Sequence, residues 1–261
     1  MTNDTIAERP VVLITGGGTG IGAAIARFLA ERYQVAICGR RAAPIDAVAA
    51  EIGGAAFVTD LGDAASAANL VPQVIARFGR LDALVLNAGV ILPTAVAQMP
   101  LADWQAQIAI NLTAPFILAQ SALPHLIMRK GSIVAIASAA ARGTGQGLAA
   151  YSASKAGLVL LTQTIAFENA RHGLRANIIS PGWVRTEMGD TEMMALSGSV
   201  EAGYAKVTQN IPERRAGLPI EIARVAAFLL SDAASYLNGA VIPVDGGGTI
   251  VDVGMLGFDA G

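Results

Sequence analysis

The segment AYSASKAG, residues 150–157, sets Tyr151 four positions before Lys155 among small, uncharged neighbours. On an α-helix, side chains four apart share a face and can touch. An ammonium beside a phenol favours the ionised form and lowers its pKa from about 10. A phenol tuned in this way can give and accept a proton near neutral pH. The same spacing also arises by coincidence, so the rest of the chain must decide what the pair does.

A second cluster stands near the start. The stretch TGGGTGIG, residues 15–22, follows the apolar VVLIT and precedes the helical pattern AAIARFLAERY. Gly16, Gly18, Gly20 and Gly22, with Thr19 and Ile21 between them, would let the backbone turn tightly and approach a ligand. The free amides of the helix start would attract a pyrophosphate. A merely structural turn is the alternative, and the strand–turn–helix context favours nucleotide binding. At the end of the second candidate strand the chain reads CGRR, residues 38–41. Gly39 leaves no carboxylate for a ribose hydroxyl, and Arg40 and Arg41 follow. A carboxylate there would repel a 2′-phosphate, whereas arginine can grip one with a charge-assisted fork. The plain alternative is two solvated surface arginines. The pattern favours NADP(H), with NAD(H) as the other candidate.

The elements that must position these groups alternate. Candidate strands cover residues 11–15, 34–38, 55–59, 82–87, 132–138, 175–180 and 240–244. Helix-length stretches include 20–32, 64–78, 101–129, 150–171 and 219–230. Nearly continuous apolar strands alternating with helices predict an α/β fold: one doubly wound (Rossmann) domain over residues 1–261, with about seven parallel strands covered on both faces. Residues 186–211 read as an irregular insertion, a substrate-lid candidate, and 248–261 as an apolar C-terminal tail.

Composition narrows the class. The chain has 261 residues, 53% of them hydrophobic and 15% charged, which excludes disorder. A net charge of −2 gives no electrostatic reason to expect nucleic acid or an anionic membrane. The single cysteine, Cys38, allows no intrachain disulfide and fits a reducing compartment. The polar start MTNDTIAERP lacks a signal-peptide core, and no apolar run reaches the roughly 18 residues of a membrane span. A cytoplasmic protein is expected. Two histidines, His125 and His172, and one cysteine are too few for the usual zinc site, so no metal is expected.

Taken together, the motifs resemble the short-chain dehydrogenase/reductase family over almost the full length. The G-x-x-x-G-x-G spacing at Gly16, Gly20 and Gly22 is similar to that family's cofactor turn. Asp60 with Leu61 is similar to its adenine-contacting pair, and Asn87, Ala88 and Gly89 form its NAG segment. Asn111, Ser138, Tyr151 and Lys155 fall in family order, and SPGWVRT (180–186) and VDGG (244–247) complete the set. Leu86 stands where the family commonly has a second Asn. Thr19 stands where NADP-preferring members often carry a basic residue, which removes one phosphate contact.

The resemblance implies hydride transfer between a nicotinamide and a carbonyl or secondary alcohol carbon. Tyr151 would be the acid/base, Lys155 would lower its pKa and hold the nicotinamide ribose, and Ser138 would bind the substrate oxygen. Asn111 would anchor a proton-relaying water. Pro181, Gly182, Val184 and Thr186 would bind the cofactor, with Thr186 on the nicotinamide carboxamide. Arg40 and Arg41 would hold the 2′-phosphate. The substrate is a small carbonyl or alcohol compound, and the few lid charges suggest an apolar or mildly polar one. The apolar stretches 112–128 and 150–167 suggest a homo-oligomer, a dimer or tetramer. A 3-ketoacyl-thioester reductase and a non-catalytic NAD(P)-binding redox sensor are the alternatives.

Overall fold

Seven short apolar segments pair side by side, all parallel, in the computed structural model, which describes residues 9–252. They are β1 (Val11–Thr15), β2 (Gln34–Gly39), β3 (Ala55–Val58), β4 (Ala83–Leu86), β5 (Ser132–Ile136), β6 (Arg175–Pro181) and β7 (Val241–Val244). The order is β3-β2-β1-β4-β5-β6-β7. Every residue of β1, β4 and β5 is buried, as strands covered on both faces must be.

The helices are α1 (Gly20–Leu29), α2 (Ala42–Ile52), α3 (Ala64–Phe78), α4 (Leu101–Ile108), α5 (Ala114–Arg129), α6 (Ala149–Asn169), α7 (Glu187–Ser197), α8 (Val200–Thr208) and α9 (Pro219–Leu230). One core cluster packs Leu70 and Val74 of α3, Leu118 and Leu126 of α5, and Leu158 and Ile165 of α6 against the sheet. The other packs Ile25 and Leu29 of α1, Ile45 and Val48 of α2, and Ile222 and Leu229 of α9 against its opposite face. Each fully buried leucine here contributes about 1.5–3 kcal/mol. The strand order reverses direction between β1 and β4. The carboxyl ends of the strands open into a crevice at this switch point.

Three features differ from the sequence expectation. Helix α2 was not anticipated, because its alanine-rich AAPIDAVAAEI gives a weak apolar stripe; Pro44 is tolerated in its first turn. The segment 186–211 is not irregular but carries α7 and α8. Thr186 Oγ1 accepts from Gly189 N at 3.0 Å and Ser199 Oγ accepts from Ala202 N at 3.2 Å, while Gly198 ends α7 at φ +73. These caps supply the helix starts and the stop. Finally, Leu101–Arg129 is one continuous helical run of 29 residues, long and apolar enough to cross a membrane by length and composition. The sequence predicts a helix over 101–129 but not one apolar over the length of a membrane span. Leu118, Ala122 and Leu126 lie on the sheet, so this run is a helix of the α/β core. The proposed tail falls largely in residues 253–261, outside the described residues, as do residues 1–8.

Candidate active site

The turn after β1 is fixed by close backbone packing. Gly16 and Gly20 have φ of +65 and +53. A Cβ at Gly22 would lie 2.2 Å from Gly16 O and 2.5 Å from Asn87 Nδ2, so only glycine lets α1 start against the turn. Asn87 Nδ2 donates to Thr15 O at 2.8 Å and to Gly16 O at 3.3 Å. Thr15 Oγ1 accepts from the amides of Asn87 and Ala88, both at 2.9 Å. The Asn87–Ala88–Gly89 segment is thereby stitched to the glycine turn. Thr19 makes no side-chain cap and the first turn of α1 holds no acid, so its amides face the crevice ready for an anion. Such a cradle fits a dinucleotide pyrophosphate.

Beyond the end of β3, Asp60 and Leu61 line the crevice, and Asp60 Oδ1 accepts from Gly62 N at 2.8 Å. Gly39 faces Ile45, whose Cγ2 lies 2.9 Å from where a Cβ would be. Arg40 and Arg41 are both exposed and both line the crevice. Arg41 Nη2 pairs with Glu187 Oε2 at 3.3 Å, which ties it to helix α7. Among the described residues Arg40 has no ion-pair partner.

The reactive end is assembled from three elements. Ser138 follows β5, and its Oγ accepts from Ala140 N at 3.1 Å. Tyr151 and Lys155 stand one turn apart on α6, with Lys155 Nζ 5.8 Å from the tyrosine ring centroid. Lys155 is 3% exposed, and its Nζ donates to Ile136 O at 2.9 Å. Asn111 sits in a π-helical turn, Ala109–Thr113, between α4 and α5. Such turns recur at functional sites. Its Oδ1 accepts from Val90 N at 2.8 Å, and its Nδ2 donates to Val90 O at 2.9 Å and Ser154 Oγ at 3.1 Å. A Cβ at Gly89 would lie 3.3 Å from Lys155 Nζ and 3.4 Å from Asn111 Oδ1. Glycine is what lets the NAG segment lie so close to both.

The electrostatics reverse one expectation. Burial raises the Tyr151 phenol above its ordinary pKa; a hydrogen bond with Ser138 pulls it back, and the charge of Glu192 raises it further. Lysine was expected to lower this pKa. Instead the ammonium is aimed at the Ile136 carbonyl, and burial pushes Lys155 itself down to about 8. Burial is the largest influence on both groups.

Most of these groups border one cleft of about 1030 Å³. It includes every residue expected at the site except Gly22 and Asn111, which lie behind its wall and hold it. Pro181, Gly182 and Val184 enter it from the end of β6, and Thr186 from the cap of α7. A Cβ at Gly20 would touch Thr186 Cγ2 at 3.2 Å, so α7 begins directly over the glycine turn. Sequence reasoning missed Arg142 and Glu192, which also line the cleft. The Met188–Glu192 spacing of four would have revealed the latter, had the segment been read as helical.

A parallel sheet of this order, with a glycine-turn crevice and a tyrosine one helical turn before a buried lysine, is the architecture of a class of nicotinamide-dependent oxidoreductases. Residues 16–249 match the family described as Enoyl-(Acyl carrier protein) reductase. The meso-2,3-butanediol dehydrogenase of Serratia marcescens is 36% identical over 249 residues, covering 94% of this chain and 96% of that protein. Among solved structures, levodione reductase superposes with a TM-score of 0.89 at 33% identity, covering 93% of this chain and 98% of its own. The 3-ketoacyl-(acyl-carrier-protein) reductase of Brucella melitensis, complexed with NADH, gives 0.83 at 28% identity, covering 93% and 99%. The chain belongs to the short-chain dehydrogenase/reductase family and is an NAD(P)-dependent oxidoreductase of carbonyl or alcohol substrates.

Proposed function

We propose that Tyr151 is the proton-transferring group of this oxidoreductase, assisted by Ser138 and Lys155 and positioned by Asn111. The observation that carries this reading is the convergence of the hydroxyls of Ser138 and Tyr151 and the Lys155 ammonium in the cleft that the glycine turn also lines. A bound nicotinamide would supply the carbon that gives or takes the hydride. The turn from Gly16 to Gly22 would hold its pyrophosphate, Asp60 and Leu61 its adenine, and Lys155 its nicotinamide ribose. Thr186 and the Pro181–Gly182–Val184 segment would border the nicotinamide.

Tyr151 gives its proton to the substrate oxygen in reduction and receives it in oxidation. A phenol held above its ordinary pKa is protonated at neutral pH, the form that reduction needs. Ser138 holds the substrate oxygen beside the phenol. Asn111, with its side chain committed to Val90 and Ser154, acts by holding the backbone against Lys155. Helices α7 and α8 serve as the substrate lid.

NADP(H) is favoured over NAD(H), because Arg40 has no ion-pair partner among the described residues and Gly39 at the end of β2 carries no carboxylate to oppose a 2′-phosphate. Cytoplasmic residence fits a chain whose single cysteine is buried. Exposed Phe116 and Met128 on α5 and Leu160 and Phe167 on α6 support a homo-oligomer.

The test is ketone-dependent oxidation of NADPH and NADH by wild type and by Tyr151→Phe. The variant is expected to lose at least a hundred-fold to about ten-thousand-fold in turnover while cofactor affinity stays within about two-fold. Retention of more than a tenth of the wild-type rate would sink the assignment.

A further inference from the structure

Helix α7 carries three acids, and two of them are spoken for. Glu187 pairs with Arg41, and Asp190 Oδ1 accepts from Tyr204 Oη at 3.0 Å. The third, Glu192, is half-buried and lines the cleft with Met188 and Gly189 on one face of the helix. It lies close enough to Tyr151 for its charge to act on the phenol. No hydrogen bond or ion pair from the described residues reaches it. Burial raises its carboxyl pKa, and no basic side chain offsets that rise, Arg142 of the same cleft included.

A polar group taken partly out of water without a partner costs free energy, and a carboxylate costs more than a neutral group. Trp183 and Met188, which line the same cleft, make no hydrogen bond to the Glu192 carboxyl. In the open cleft water serves the exposed part of this carboxyl, and a substrate at the reactive end that displaces the water must supply the donor itself. We propose that Glu192 is a substrate-specificity residue: its carboxyl accepts a hydrogen bond from a hydroxyl or ammonium group on the substrate's carbon chain, near the reacting carbon. This rests on the hydride-transfer reading above and names its substrate class. The substrates are hydroxy- or amino-substituted ketones and the matching diols or amino alcohols. Plain alkyl ketones leave the carboxyl unpaired, and anionic substrates meet its charge. The few charges of the lid suggested an apolar or mildly polar compound; the position of the one unpaired acid gives that compound a hydrogen-bond donor.

The experiment compares kcat/KM for pairs that differ only in a hydroxyl replacing a terminal methyl. These are 1-hydroxy-2-propanone against 2-butanone, 4-hydroxy-2-butanone against 2-pentanone, and 5-hydroxy-2-pentanone against 2-hexanone. A further probe, 1-amino-2-propanone, places an ammonium at the same position as the first hydroxyl. Wild type is expected to prefer the donor-bearing member of at least one pair by about ten-fold or more, since a site built around a hydrogen bond rejects the analogue lacking it. Glu192→Leu is expected to bring that ratio to within about two-fold of unity. Glu192→Gln keeps an acceptor, so it should retain part of a hydroxyl preference and lose an ammonium preference; this separates the two sources of the donor. Ratios are taken within each variant, so a general loss of rate cancels, and a cofactor fluorescence titration reports that Glu192→Leu is folded. Equal kcat/KM within every pair and for the amino ketone in wild type overturns the assignment, as does a preference that survives in Glu192→Leu. Absence of turnover with every ketone would instead overturn the hydride-transfer reading, and this inference with it.

Discussion

The crevice has two walls built on different principles. On the β1–β4 side, shape is set by backbone against backbone: Gly22 against Gly16 O, Gly16 against Ala88, and Asn87 bonded to the turn. On the α7–α8 side, shape is set by side chains near solvent, such as the exposed Arg41–Glu187 and Arg185–Glu201 pairs. The first wall tolerates almost no change of residue type. The second can be redrawn without disturbing the sheet, and it is where substrate choice resides in our reading. A scaffold of this kind keeps its cofactor while its substrate changes.

The sharpest way to break this contrast is Gly22→Ala. With a Cβ 2.2 Å from a carbonyl oxygen the turn must shift, so we expect a loss of about 2–4 kcal/mol in stability and of measurable cofactor binding. Thermal melts and a fluorescence titration would show it, and a variant that binds cofactor normally would remove the claim of a rigid wall.

Lys155 gives a pH-dependent test at the boundary between the walls. Its folded pKa, about 8, lies below the ordinary 10.5. Between these values the unfolded chain binds a proton that the folded chain does not, so stability rises with pH across that window. The penalty for burying the ammonium is fully present below about pH 8. Urea unfolding of wild type and Lys155→Met at intervals from pH 7 to 10.5 should show the wild type gaining relative to the variant; parallel curves would mean that the lysine is not desolvated.

Arg40→Ala is a smaller and more selective change. It should raise the NADPH dissociation constant by about ten-fold and leave that for NADH within about two-fold, as expected for one charge-assisted phosphate contact. Equal effects on both cofactors would leave Arg40 a surface residue. Smallest of all is Glu187→Gln on the soft wall, which removes an ion pair whose partners are both 61% exposed. A stability change below about 0.5 kcal/mol is expected, and a larger one, read by urea titration, would show the lid to be more firmly tied than we describe.

Legibility from sequence followed the same division. The alternation of buried strands and the glycine turn were readable because β1, β4 and β5 are apolar throughout and glycine is demanded by contact. The order and strand context of Ser138, Tyr151 and Lys155 pointed to their meeting in one cleft. What was hidden depended on competition between forces or on weak periodicity. The raised Tyr151 pKa needed knowledge of burial, which no spacing supplies. The alanine-rich α2 has little amphipathic signal, and α7 and α8 are set off by the caps Thr186 and Ser199 more than by an apolar stripe. Glu192 was missed because its helix was.

The π turn at Ala109–Thr113 bears on how this chain can change in length. A residue on an α-helix advances about 100° around the axis. The π turn takes up one residue more than a regular α turn, so Gln107 and Asn111 hold the loop after β4 while Leu118 and Leu126 still lie on the sheet. A residue inserted elsewhere in this run, with no such turn to absorb it, would swing the rest of α5 by about that angle and take Leu118 and Leu126 off the sheet. A change of length along this run is therefore harsher than most substitutions, whereas the loop between α7 and α8 at Gly198 has nothing within 4 Å of an added Cβ and can accept extra chain.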